Sequence, residues 1–135
     1  MNECTRELLD RYFRSYNARN VEGLLELVHD DLVHDIGTCR REVGKRAFAR
    51  FLATKNALYD EHVYELDLLI SPDGSHAAAE YTVLGFMLVE GDANVPLSPG
   101  ETYRVGAGTF FHIRDGLISR ISSYGSRHDL WGQAA

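Results

Sequence analysis

The chain has 135 residues, 44% of them apolar and 25% charged, which suits one domain, residues 1–135, built around one core. Its formal charge is −6, a balance that argues against nucleic acid, because a phosphate-binding surface needs clustered Lys and Arg. No run approaches the roughly eighteen consecutive apolar residues of a membrane span, so a membrane partner is not expected either.

Residues 2–19 place Leu8, Leu9, Tyr12, Phe13 and Tyr16 at spacings of three and four, the apolar stripe of an amphipathic helix. Asn2 or Thr5 can cap its start. The same segment is charged from its third residue, unlike a secretory or transit leader, and the expected location is the cytoplasm. Asn20 stops this helix and can cap a short second one, Val21 to Val28. Leu32 to Ile36 then reads as a short strand, turned by Gly37 and Thr38. Arg40, Arg41, Lys45 and Arg46, broken by Glu42, read as the solvated start of a third helix. That helix runs from about Gly44 to Tyr59, with Phe48, Phe51 and Leu52 on its inner face.

Beyond Tyr59 the pattern is that of strands: His62–Ile70, His76–Val89, Glu101–Ile113 and Leu117–Tyr124. SPDGS is a turn, and Asp115-Gly116 closes the last hairpin. The acidic connection 90–100, EGDANVPLSPG, is either a loop lining a mouth or a tolerated insertion. Helices followed by an antiparallel meander predict an α+β fold, with three helices on one face of a mainly antiparallel sheet. Strands this long need curvature, and Gly85, Gly106 and Gly108 sit where a bend or a close approach would fall. A strongly curved sheet with helices across its open side forms a cone around a pocket.

His34 and Asp35 interrupt the apolar run of the first strand. Alternation puts His34 on the face of Leu32 and Ile36, and Asp35 on the face of Val33. It does not say which of the two enters the pocket. Either could act as a base there, and either could be a solvated or structural residue. Tyr12 lies on an apolar stripe, as plain core or as a hydrogen-bond donor. Tyr16, on the next turn, belongs to the same wall. Phe51, Tyr81, Phe86, Tyr103, Phe110 and Phe111 are candidates to line a pocket and equally good sheet packing. Arg104 and His112 alternate with Tyr103 and Phe111, so they face away from them. Near the C-terminus, His128, Asp129 and Trp131 could cover the mouth, join a dimer contact or form a frayed tail. The six histidines form no i, i+4 pair with a third ligand, so no metal site is expected. Cys4 and Cys39 lie outside any CxxC motif and read as free thiols.

Three stretches carry a family resemblance over nearly the whole chain: RYFRSYNARNVEGLLELVHDDLVHDIG (11–37), REVGKRAF (41–48) and FFHIRDGLISRISSY (110–124). In them the sequence resembles the NTF2-like superfamily, and most nearly its ketosteroid-isomerase-related and SnoaL-like polyketide cyclase members. The resemblance implies the cone fold, no cofactor, and a homodimer formed through the outer face of the sheet. By position, Asp35 in Val33-His34-Asp35-Ile36 matches the isomerases' general base, and Tyr12 in Arg11-Tyr12 matches their oxyanion-hole tyrosine. Their second donor, a protonated aspartate, falls near Thr109, where this chain departs from the pattern. The cyclases' later-strand acid has no counterpart between Tyr103 and Ile113.

The resemblance therefore implies a cofactor-free isomerase or cyclase, moving a proton by general-base catalysis on a small hydrophobic carbonyl compound. Asp35 would be the base, with His34 as its alternative, and Tyr12 the donor. Tyr16, Phe51, Tyr81, Phe86, Thr109, Phe111 and Trp131 would contact substrate. The alternative is a non-catalytic ligand-binding or dimeric assembly module using the same pocket.

Overall fold

The computed structural model describes residues 2–37, 40–91 and 96–125, and in it the N-terminal stripe forms helix α1, Asn2–Asn17. Its buried side is Leu8, Leu9, Tyr12 and Phe13. Asn2 and Thr5, expected as caps, lie within α1 and tie it to a turn of the sheet. Thr5 donates to the Gly74 carbonyl at 2.7 Å and Asn2 to that of Ser71 at 3.3 Å. Asn20 does cap α2, Val21–Leu25, accepting from the Gly23 amide at 3.0 Å.

Two boundaries differ from the sequence expectation. Val28 ends no helix; it opens strand β1, Val28–Ile36, and pairs with Ile118. Arg40–Val43 is not a helix start but strand β2. Gly37, at φ 63°, turns the chain so that Arg41 falls opposite Asp35. Ladder hydrogen bonds and that charge pairing outweigh the weak strand propensity of Arg and Glu. Helix α3 is Lys45–Leu58. The meander follows as β3 (Tyr59–Ile70), β4 (His76–Met87), β5 (Thr102–Arg114) and β6 (Leu117–Gly125). Asp115 and Gly116, both at positive φ, close its last hairpin as expected.

Among the described residues the fold is α+β, with three helices packed against a single curved sheet of order β2-β1-β6-β5-β4-β3. All neighbours are antiparallel except β1 and β6, which run parallel in the middle of the sheet. The register assigns faces. Phe111 opposes both Ala77 and Ile121, and these three pack with Leu9, Phe48 and Leu52 in the core on the helix side. Phe110, one residue away, opposes Ala78 and Ser122 on the outer side. Among the described residues no helix is long and apolar enough to cross a membrane.

Candidate active site

His34 belongs to the helix side of the sheet. It opposes Ile121 on β6 and Glu42 on β2, and only 4% of its surface is exposed. Phe51 and Phe48 of α3 meet its ring edge-on, with centroids 4.7 and 5.2 Å away. Burial lowers its pKa, against the opposing pull of Glu42 and Asp35, so the imidazole is held neutral. Its Nδ1 is buried without a hydrogen-bond partner among the described residues. Glu42, directly across the ladder, likewise buries an Oε1 with no partner among the described residues while Arg40 holds its Oε2. The two orphaned polar atoms thus belong to residues paired across one ladder.

Asp35 points the other way, which corrects the expectation that it enters the pocket. Its carboxylate accepts from Arg41 at 2.6 Å, Arg120 at 2.8 Å and Ser122 at 3.1 Å. Its side chain is 13% exposed. The Arg41 hydrogen bond, then those of Arg120 and Ser122, hold its carboxyl far below the usual range despite opposing burial. A carboxylate so stabilised is a poor base. Its partners lie on β2 and β6, so it ties three strands together on the outer face.

The rest of the inner wall comes from α1 and the meander. The Tyr12 ring stands edge-on to Phe13 and Phe111, at 5.1 and 5.3 Å. Burial foremost, with Tyr81 nearby, keeps its phenol protonated. The Tyr81 hydroxyl meets Thr109 Oγ1 at 2.6 Å, and Thr109 meets Ser123 Oγ at 3.1 Å. This polar row crosses β4, β5 and β6 toward the strand that carries His34.

A second polar cluster closes the other end. Glu61 of β3 accepts from Tyr16 at 2.9 Å and, by a very short contact, from Tyr103. Lys55 of α3 lies 3.6 Å from the same carboxylate and 4.4 Å above the Tyr16 ring. Tyr103 reaches Glu61 by crossing β4 at Gly85, where a Cβ would meet Tyr103 Cζ at 1.9 Å. Gly85 is the register partner of both residues, so the missing side chain is what lets the phenol span two ladders. Sequence reading singled out Tyr16, Tyr103 and Gly85 without linking them. Glu42, Lys55 and Glu61 had no local signal, since each looks like an ordinary surface charge.

Residues 9–121 match the model of the SnoaL-like domain, most of the chain. The chain belongs to the SnoaL-like family. It is 36% identical to a candidate polyketide cyclase of Pseudomonas putida KT2440, with 97% of this chain and 98% of that one covered and a TM-score of 0.88. A candidate polyketide cyclase of Xanthomonas campestris is 29% identical over 99% and 98%, at a TM-score of 0.91. A candidate ketosteroid isomerase of Kribbella flavida is 26% identical over 92% and 78%, at 0.66. No curated protein matches the chain. These likenesses bear out the NTF2-like superfamily and place this SnoaL-like protein in a cyclase- and isomerase-type family.

Of the other expected contacts, the structure gathers Tyr16, Phe51, Tyr81 and Thr109 on the inner side with Tyr12 and His34. Phe111 is there too, fully buried between rings of α1. Phe86 is a correction: it opposes Thr102 and Asp60 on the outer face and is 43% exposed. The alternation that turns Gly85 inward turns Phe86 out. Phe110 is outward for the same reason. Arg104 and His112 face away from Tyr103 and Phe111 as expected. Cys4 is a free, exposed thiol. Trp131, His128, Asp129 and Cys39 lie outside the described residues. A depression of about 340 Å³, bordered by Leu69, His76, Phe110 and His112, touches none of the inner polar groups.

Proposed function

We propose that this SnoaL-like protein is a cofactor-free enzyme that moves a proton to and from carbon in a small hydrophobic carbonyl compound, with His34 as general base. The observation that carries this reading is a neutral, buried imidazole with an orphaned ring nitrogen, walled by aromatic rings and facing a partly buried acidic neighbour. Asp35 takes no part, because its lone pairs are committed to two arginines and a serine.

The proposed step is simple. A hydrophobic ketone enters the cone between α1, α3 and the sheet. His34 Nδ1–H closes on Glu42 Oε1, which satisfies both orphans and leaves the Nε2 lone pair as the base. Nε2 takes a proton from the carbon beside the carbonyl. The electrons of that C–H bond pass to the carbonyl oxygen, which accepts a hydrogen bond from the Tyr12 hydroxyl as it becomes an enolate oxygen. Return of the proton at another carbon is an isomerisation. Attack of the carbanion on a second carbonyl is a cyclisation.

The test is deuterium exchange of the α-protons of 2-tetralone in D2O, followed by proton NMR. The wild type should exchange faster than buffer, and His34→Asn should lose about 100-fold or more of that acceleration, the usual contribution of a positioned base. Equal exchange with and without the wild-type protein would sink the reading.

The outer face favours an assembly role as well. Leu69 and Phe110 are 71% and 56% exposed there, with Tyr124 beside Phe110. Such a patch on a sheet face suits a second copy of the same chain related by a two-fold axis. The homodimer so formed would leave the inner pocket free.

A further inference from the structure

Lys55 is the unexplained cation of the inner wall. Its side chain is 13% exposed, and burying an ammonium is costly unless it is fully paired. Glu61 does not pair it fully. At 3.6 Å the contact is longer than a hydrogen bond, and the carboxylate's better-aligned partners are the Tyr16 and Tyr103 hydroxyls. Tyr16 offers its ring face to the ammonium, which attracts the charge but accepts no directed N–H bond. Among the described residues the ammonium thus has one long carboxylate contact, to Glu61, for its three N–H donors. The arrangement fixes the cation and leaves its donors open.

What fills them must be an acceptor, and its place follows from the helix. Lys55 lies one turn beyond Phe51 on α3, so the two side chains share a face, about 5–6 Å apart at Cβ. Phe51 in turn packs on the His34 ring. His34 and Lys55 are therefore separated by the width of an aromatic ring and a helical turn. One enolate oxygen, bonded to the carbon next to the one His34 deprotonates, cannot serve both. In the proposed step that oxygen is taken by Tyr12. The acceptor at Lys55 is a second group, at the far end of the ligand.

We infer that Lys55 anchors a carboxylate carried by the substrate at the end remote from its reacting carbon, so that the substrate class is a hydrophobic keto acid. This inference rests on the proton-transfer reading of His34. A carboxylate would complete the shell of the ammonium with the strongest kind of acceptor and set the distance from anchor to base, while the Tyr16 and Tyr103 hydroxyls hold the Glu61 charge beside it. Tyr16 and Tyr103 act as positioning residues by saturating Glu61, which keeps that carboxylate from claiming the ammonium outright.

The experiment compares two ligands of nearly equal shape, 2-tetralone bearing a 6-carboxylate and 2-tetralone bearing a 6-carboxamide. Binding to the full chain is measured by calorimetry, and α-proton exchange is followed on each. Wild type should bind the carboxylate at least ten times more tightly. Lys55→Met should bring the ratio near one, and Lys55→Arg should restore most of it. No preference in the wild type would overturn the anchor, as would a preference that survives in Lys55→Met. If Lys55→Met fails to fold, the wild-type ratio and Lys55→Arg decide the matter. Exchange separates the two readings. A wild type that exchanges both ligands without preference loses only the anchor. One that binds the carboxylate selectively but exchanges neither loses the base and keeps the Lys55 contact.

Discussion

His34 and Asp35 are neighbours in the chain, yet the imidazole lies under α3 against Phe51 while the carboxylate lies on the opposite face between Arg41 and Arg120. The period of a strand forces the separation. It divides the two roles that one dipeptide could have filled.

Asp35 should therefore matter to stability and not to turnover. Asp35→Asn removes the charge that holds Arg41 and Arg120, and should cost roughly 1–2 kcal/mol in urea unfolding at neutral pH. Its α-proton exchange should stay within a few-fold of wild type. The folded-state pKa of Asp35 is depressed, so its contribution is present above the unfolded value of about 3.9 and fades as pH falls below it. The stability gap between wild type and Asp35→Asn should narrow over that range. Loss of exchange by orders of magnitude in a folded Asp35→Asn would return the base to Asp35.

The pH profile of exchange should report His34. Its folded pKa lies below the ordinary 6.5 because burial disfavours the imidazolium. The rate should rise with pH through an apparent pKa under 6.5 and then level off. Glu42 raises that pKa, so Glu42→Gln should shift the inflection to lower pH. The same depression makes protonation oppose folding. Stability due to the neutral imidazole should be lost as pH falls below about 6.5, a loss that His34→Asn should not show.

Gly85→Ala should break the Tyr103–Glu61 contact. The new methyl would stand where the Tyr103 ring now crosses β4, at a cost of about 1–3 kcal/mol for overpacking. Combined with Tyr103→Ala the cost should be less than the sum of the single changes, because the clash vanishes with the ring. Thermal unfolding of the four members of the cycle measures this.

A charge on the outer face should oppose self-association. Phe110→Glu places a carboxylate in the middle of the exposed apolar patch. If that patch is the two-fold contact, light scattering should show the wild type as a dimer and this variant as a monomer. A monomeric wild type at high concentration would remove the proposal.

The fold class was legible because apolar period reports element type directly. The α1 stripe, the Asn20 cap, the Asp115-Gly116 turn and the long strands of the meander all appear where their residues predict them. β2 was hidden because Arg40-Arg41-Glu42 has no apolar alternation. It becomes a strand only through the ladder and charges supplied by β1. The site divided in the same way. Tyr12, Tyr16, Tyr81 and Thr109 could be named from the sequence, whereas Glu42, Lys55 and Glu61 gain meaning only from what folding places beside them.

What the sequence determined by itself was the architecture and the pairing of His34 with Asp35 on one strand, since period and turn chemistry are local properties. Tertiary structure alone decided which of the two faces inward, because alternation is symmetric until one face is covered. Helix α3 covers the His34 face, and Arg41 and Arg120, brought in by β2 and β6, claim the other.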